Sequence, residues 1–232
     1  MALTKVGSGV IQDDAVGIAN LGATGTASAT TFLRGDNAWA SAAAGFNSVQ
    51  VFTATGTWTK PTGITKILVF ITGGGAGGMY RSGDTGHGGG AASTAIKFLD
   101  VSSISTVEVT IGAGGVGGSS SDPYNAPAGG ASAFGVAPAT VHCTAGGGGA
   151  TSSTGVPGPG GTATGGNVNV VGGGGGQAMG GSSFWGSGTN WRYSGGYLSP
   201  LANGIYGSGG GGSRGAASGS GGAGFCLVLE YK

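Results

Sequence analysis

KILVFITGGGAGG, residues 66–78, changes character at its midpoint. Its first half alternates as a β-strand, with Ile67, Val69 and Ile71 on one face and Leu68 and Phe70 on the other. β-Branched and aromatic residues suit a pleated surface, and apolar side chains on both faces predict a strand buried on both sides. From Gly73 the side chains stop. The same hand-over follows Val107–Ile111, where GAGGVGG begins, and Val141–Thr144, where AGGGGA begins. It runs in reverse near the C-terminus, where GSGGAG leads into Phe225–Tyr231. The chain therefore reads as a small β-core whose strands are joined by long glycine excursions.

Glycine supplies 59 of the 232 residues, a composition usually associated with disorder. Two numbers oppose that reading. Hydrophobic residues make up 38% and charged residues only 7%, the reverse of the balance that keeps chains unfolded. No strict G-X-Y period persists, which excludes a collagen triple helix. The net charge of +1 comes from nine basic and eight acidic residues scattered singly, so nothing gathers to neutralise phosphates and nucleic acid is not expected as a partner. No run is long and apolar enough to insert in a bilayer, and MALTKVGSGV lacks the apolar stretch of a signal peptide. Cys143 and Cys226 each sit in an apolar strand, and two buried free thiols are the preferred expectation over a disulfide.

From Phe46 onward, Val49–Phe52, Lys66–Thr72, Thr94–Leu99, Val107–Ile111, Ala131–Phe134, Ala139–Thr144 and Phe225–Tyr231 are expected as strands, and Thr55–Pro61 as a turn carrying Trp58. Many short strands with Gly/Pro-rich connections predict an all-β fold, a β-sandwich with long glycine-rich loops, over residues 46–232. Residues 1–45 are different: polar, rich in Ala and Thr, and without a sustained period. Asp13-Asp14 before AVGIAN suits a short helical cap. Such a segment buries too little apolar surface to fold alone, and is expected to act as an extended attachment and oligomerisation element.

Within it, Thr31-Phe32-Leu33-Arg34-Gly35-Asp36-Asn37-Ala38-Trp39 resembles the T-[FY]-L-R-G-D-x-x-W element of bacteriophage tail fibres. The preceding VGSGVIQDDAVGIANLGATGTAS resembles the leader found with it in fibres of marine and cyanobacterial phages. GTWTKPTGITKILVFITGGGAGG and GGAGFCLVLEYK are similar to the glycine-rich domain at the ends of many such fibres, and to the adhesins that tip some T-even-type long fibres. The resemblance implies a homotrimer in the virion, joined to other tail proteins through the N-terminal segment, with Phe32, Leu33 and Trp39 packed around the three-fold axis. It implies adhesion to a bacterial surface receptor, without cofactor, metal or bond cleavage. The LRGDxxW context accounts for the Arg-Gly-Asp tripeptide better than an integrin motif does. A structural decoration or adaptor protein is the first alternative, and a glycan depolymerase the second.

Three excursions, 73–92, 112–130 and 145–223, are far longer than ordinary connections. Ordering so many glycines requires each amide to bond another backbone. Three-residue helices of the polyproline II shape have no internal bonds and, without side chains, can bond laterally. The T-even adhesins that this chain resembles use such polyglycine bundles. On that basis a side chain at Gly174, inside the Gly172–Gly176 run, is expected to wedge neighbours apart. The interruptions carry the candidate binding residues: Tyr80, Arg81, Asp84 and His87 in the first; Tyr124 and Asn125, beside Asp122, in the second; Phe184, Trp185, Trp191, Arg192, Tyr193, Tyr197 and Tyr206 in the third. If the glycines are stalks, these residues converge on one tip, where aromatic faces and polar neighbours suit sugar rings or flat protein surfaces. The alternative for Phe184, Trp185 and Trp191 is a minor core holding the turns together. Gly73, Gly75 and Gly78 satisfy GxGxxG, but no helix follows to bind a pyrophosphate. Asp84 and Asp122 are the only carboxylates outside the strands and leader, a poor supply for glycan hydrolysis.

Overall fold

A computed structural model describes residues 22–29, 31–41, 45–121, 126–135, 140–151, 154–194, 197–200 and 202–232. The chain divides into two compact units, Met1–Gly45 and Phe46–Lys232. The expected cap at Asp13-Asp14 lies outside the described residues. In the first unit a hairpin forms where no strand period is visible: β1 (Thr31–Leu33) pairs with β2 (Trp39–Ser41), Leu33 opposite Trp39. Its turn is Arg34–Ala38, closed by the Arg34 N–H to the Ala38 carbonyl at 2.9 Å. Asn37 takes the positive φ that this turn needs, a conformation Asn tolerates better than most residues. Arg34 and Asp36 pair with each other at 3.1 Å. Phe32 and Leu33 are exposed within this unit and Trp39 is half-buried.

The second unit holds β3 (Phe46–Phe52), β4 (Gly56–Thr59), β5 (Lys66–Thr72), β6 (Tyr80–Arg81), β7 (Thr94–Asp100), β8 (Thr106–Thr110), β9 (Ser132–Phe134), β10 (Cys143–Ala145), β11 (Ala163–Thr164), β12 (Val168–Val170), β13 (Trp191–Ser194), β14 (Tyr197–Pro200), β15 (Ser213–Arg214) and β16 (Phe225–Tyr231). Two five-stranded antiparallel sheets, β12-β7-β5-β16-β3 and β11-β10-β9-β8-β4, face each other. Ile67, Val69, Ile71, Cys226 and Val228 from the first meet Trp58, Val107, Val109, Phe134 and Cys143 from the second. The expected turn at Thr55–Pro61 is instead strand β4, because Trp58 pairs with Val107 and is wholly buried between the sheets.

The two outer faces differ sharply. On the β8 sheet the alternation sends Thr57, Glu108, Thr110 and Thr144 outward, a polar surface. On the β5 sheet the outward residues are apolar. Cross-strand registers align Val51, Leu227, Phe70, Ile96 and Val168 in one row, and Val49, Leu229, Leu68 and Phe98 in the next. β5 is therefore not covered on both sides, contrary to the expectation from its sequence. Ile67, Val69 and Ile71 are fully buried, but Leu68 and Phe70 are only half-buried, the Trp185 ring packing on Phe70 at one end of this face.

The inward face of β16 carries a carboxylate. Glu230 is fully buried and accepts hydrogen bonds from the Trp58 indole N–H at 2.8 Å, the Gln50 amide at 2.7 Å and the Ser48 hydroxyl at 2.5 Å. Three neutral donors from β3 and β4 thus satisfy a polar group that would otherwise be costly to bury. Cys143 and Cys226 are free and buried. Burial pushes the Cys143 thiol from an ordinary 9.0 up to about 12, and burial with the nearby Cys143 raises Cys226 as well. Neither thiol should react with a disulfide reagent at pH 8 until denaturant is added; labelling of the native chain would contradict the packing. The sign of the linkage follows. Above pH 9 the unfolded chain releases protons that the fold retains, so stability should fall as pH rises past 9.

The glycine excursions are ordered by each other. In the segment 73–79, Gly74 and Gly77 donate to Gly130 and Pro127, Gly75 and Gly78 to Gly222 and Gly219, and Ala76 and Met79 to Gly90 and His87. Every third amide serves the same neighbour, and bonds within the segment are absent from the pattern. That is the lateral bonding of a three-residue helix surrounded by others. The segment 86–93 repeats it: residues 86, 89 and 92 bond 213, 210 and 207; residues 88 and 91 bond 176 and 173; residues 90 and 93 bond 149 and 146. A Cβ on Gly75 would lie 2.0 Å from the Ser208 carbonyl oxygen, and one on Gly90 1.8 Å from that of Pro159. Gly174 is the exception to the expectation made for it. A Cβ there meets only the Gly158 oxygen, at 3.6 Å, because this glycine faces outward from the bundle.

Candidate functional site at the far end of the glycine bundle

The segment 73–79 leaves the sandwich at Thr72 and ends at β6. Seven residues of three-fold helix span about 20 Å, so β6 marks an end of the bundle remote from the β-core. There a four-stranded sheet forms in the order β13-β14-β15-β6. β6 and β15 run parallel, with Tyr80 opposite Ser213 and Arg81 opposite Arg214. Arg214 also stands opposite Leu198, and the β13–β14 hairpin aligns Arg192 with Ser199 and Tyr193 with Leu198. Three of the chain's four arginines, Arg81, Arg192 and Arg214, are thereby carried on one small sheet.

Beside β6, the turn 82–85 makes a polar hollow of about 330 Å³ lined by Arg81, Ser82, Gly83 and Asp84. Arg81 donates to Asp84 at 3.0 Å. The Thr85 N–H, at 2.7 Å, and then Arg81 hold the Asp84 carboxyl below its ordinary range. His87 lies against the same arginine: a Cβ on Gly155 would sit 3.0 Å from an Arg81 guanidinium nitrogen and 3.3 Å from His87 Nε2. Gly155 has a φ of +87°, so glycine suits both its conformation and this close approach. Burial, and secondarily the Arg81 charge, lower His87 below 6.5, leaving the ring neutral at pH 7. Its Nδ1 is buried without a hydrogen-bond partner.

The candidate residues do not share one tip. Arg81, Asp84 and His87 are together at the far end, with the backbones of Trp191, Arg192, Tyr193 and Tyr197 on the same sheet; the side chains of this hairpin lie outside the description. Tyr80 is at that end but buried, 9% exposed, as part of β6. Tyr124 and Asn125 lie outside the described residues. Phe184, Trp185 and Tyr206 are at the opposite end, against the sandwich. The Trp185 indole donates to Thr72 at 3.1 Å and its ring packs on Phe70 and Phe225, at 5.7 and 5.2 Å between centroids. Tyr206 packs on Phe225 at 5.1 Å, and Phe184 on Trp185 at 4.8 Å. The third excursion returns to the sheet before going out again, so Trp185 closes the top of the apolar rows in the way a minor core would.

Arg214 was not among the candidates. It is the one cation between Arg192 and Lys232, in GGGGSRGAA, and that isolation was the available signal. Chemically, the far end carries the Arg81 guanidinium paired with Asp84, and Arg214 opposite Arg81 on the neighbouring strand. Guanidinium groups suit carboxylate, phosphate and vicinal hydroxyl acceptors. Among the described residues, no group of three or more His, Cys, Asp or Glu gathers to hold a metal. The family described as "Glycine-rich domain" matches residues 48–229. No curated protein matches the chain significantly.

Proposed function

The chain belongs to the glycine-rich domain family, and from that premise we propose that it is a bacteriophage tail fibre or fibre-tip protein that adheres to a bacterial surface receptor. One observation carries the reading: a laterally bonded glycine bundle holds a small arginine-bearing sheet about 20 Å from the core. Backbone-only stalks that position charged and aromatic residues away from the core serve presentation better than packing. The resemblance of TFLRGDNAW to fibre leaders supports the virion assignment and a homotrimer, with the exposed Phe32 and Leu33 and the neighbouring Trp39 as contacts between copies and the segment 1–45 as the joint to other tail proteins. Binding is reversible and leaves the receptor intact. Arginines carried on this sheet select acidic surface glycans, or outer-membrane proteins with acidic loops.

Labelled chain should bind cells that a particle carrying it infects. The combined Arg81→Ala, Arg192→Ala and Arg214→Ala changes should lower that binding at least tenfold, about 1.4 kcal/mol or more. Melting and chain association should hardly move, since surface substitutions usually shift stability by about 0.5 kcal/mol or less. Undiminished binding by the triple variant would remove the far end as the receptor face. Release of shortened glycan from the cells would indicate a depolymerase instead.

A further inference from the structure

We propose that the outer face of the β12-β7-β5-β16-β3 sheet is a contact surface for a second copy of this same domain. This goes beyond the adhesive reading and does not depend on it. Two strands are apolar on both faces, where a lone sandwich needs only the inner one to be so. β16 turns Cys226, Val228 and Glu230 inward and Leu227 and Leu229 outward; β7 turns Ala95, Lys97 and Leu99 inward and Ile96 and Phe98 outward. Both strands therefore give some of their more hydrophobic residues to the open side. The opposite sheet sets the comparison, because its outer face is built from Thr and Glu.

The open face is extensive. Val51, Phe98 and Val168 are 56%, 49% and 52% exposed, and Phe46, at the start of β3, is 62% exposed. Large side chains carry about 150–250 Å² each, so the open rows leave on the order of 600 Å² of apolar surface. That is at the upper end of the roughly 300–600 Å² of the largest patch on a monomer and approaches the roughly 800 Å² that one partner contributes to a stable interface. The rows themselves bear no charge. Lys66 and Asp100, opposite each other in register, stand at their margin, giving an apolar centre with a polar rim. A chargeless, flat, apolar sheet face is complementary to another of its kind, and a second copy supplies one in every solution of the protein.

The test uses the full chain. Val51→Glu with Phe98→Glu places charge on two open rows, and Val116→Glu with Val156→Glu places it on exposed valines away from that sheet. Association is followed by sedimentation across a concentration series, with melting of the dilute chain as the folding check. The expected result is at least a hundredfold rise in the dissociation constant for the first pair, no change for the second, and unaltered melting for both. Oligomers of unchanged strength in the Val51/Phe98 variant would overturn the proposal, leaving association to the N-terminal segment. A wild-type chain that stays monomeric at high concentration would overturn it too. Cell binding is a separate measurement, so loss of either reading leaves the other standing.

Discussion

Gly90→Val will lower the melting midpoint of the glycine-bearing unit by about 10 °C or more, or prevent its folding, whereas Gly174→Ala will leave it nearly unchanged. The two residues look alike in sequence, each inside a glycine run. At Gly90 the amide bonds the Gly149 carbonyl, the carbonyl accepts from Ala76, and the place of a Cβ is already occupied by the Pro159 oxygen. A valine must push one of three neighbouring segments aside. Each buried amide or carbonyl stranded by that shift costs about 1–3 kcal/mol, and overpacking adds a similar amount. At Gly174 a methyl enters open space, and the smaller entropy of the unfolded alanine chain offsets much of any cost. Calorimetry of the two variants decides the matter. Equal melting of Gly90→Val and wild type would show that the bundle is not a close-packed solid.

The second large effect belongs to Trp58. Trp58→Ala should cost about 3–5 kcal/mol for the lost packing alone, and more because Glu230 loses a donor. Trp58→Phe isolates the second part. It keeps most of the ring against Phe134, 6.2 Å away between centroids, but removes the indole N–H from a fully buried carboxylate. A cost of about 1–3 kcal/mol is expected for Phe. Glu230→Gln should cost less than either. Its oxygen can stay toward Trp58 and Gln50 while its NH₂ faces the Ser48 hydroxyl, which can accept as well as donate. Urea titrations of the three variants measure these costs directly. A Trp58→Phe chain as stable as wild type would mean that water replaces the indole at the carboxylate.

How far the fold was legible depends on which interaction set each element. Ile67, Val69 and Ile71 announce β5 because period-two alternation is local, and the stop at Gly73 is local too. The all-β sandwich follows from repeating that pattern. Trp58 was read as part of a turn because TGTWTKP has turn residues on both sides, while its strand character comes from pairing with Val107, nearly fifty residues on. Glu230 gave no sign of burial, since its three donors come from residues 48–58. The glycine runs were legible as an ordered bundle, but which glycine faces a neighbour depends on segments from other excursions, so Gly174 and Gly90 could not be told apart. The candidate site was legible where a tip residue stays near its own turn, as Arg81, Asp84 and His87 do. For Trp185 the sequence leaves tip and minor core both open, because its partners, Thr72, Phe70 and Phe225, are more than thirty residues away in sequence.

The position of β16 sets a timetable for synthesis. Phe225–Tyr231 lies between β5 and β3, so β3 has no partner, and β5 only β7, until these residues have left the ribosome. The bundle waits as well, since Gly75 and Gly78 donate to carbonyls at 222 and 219. The β11-β10-β9-β8-β4 sheet and the β12-β7-β5 pairings can form earlier, but the other sheet and the bundle close only with the last strand, and pairings of such long sequence separation form slowly. Folding of this unit is therefore completed only after residue 231 has been made. A nascent chain stalled with residue 224 as the last one exposed should be digested by protease, and one released through 231 should resist. During that interval residues 1–45, which precede this unit, are already made. Order of synthesis thus allows any contact between copies through them to precede its folding.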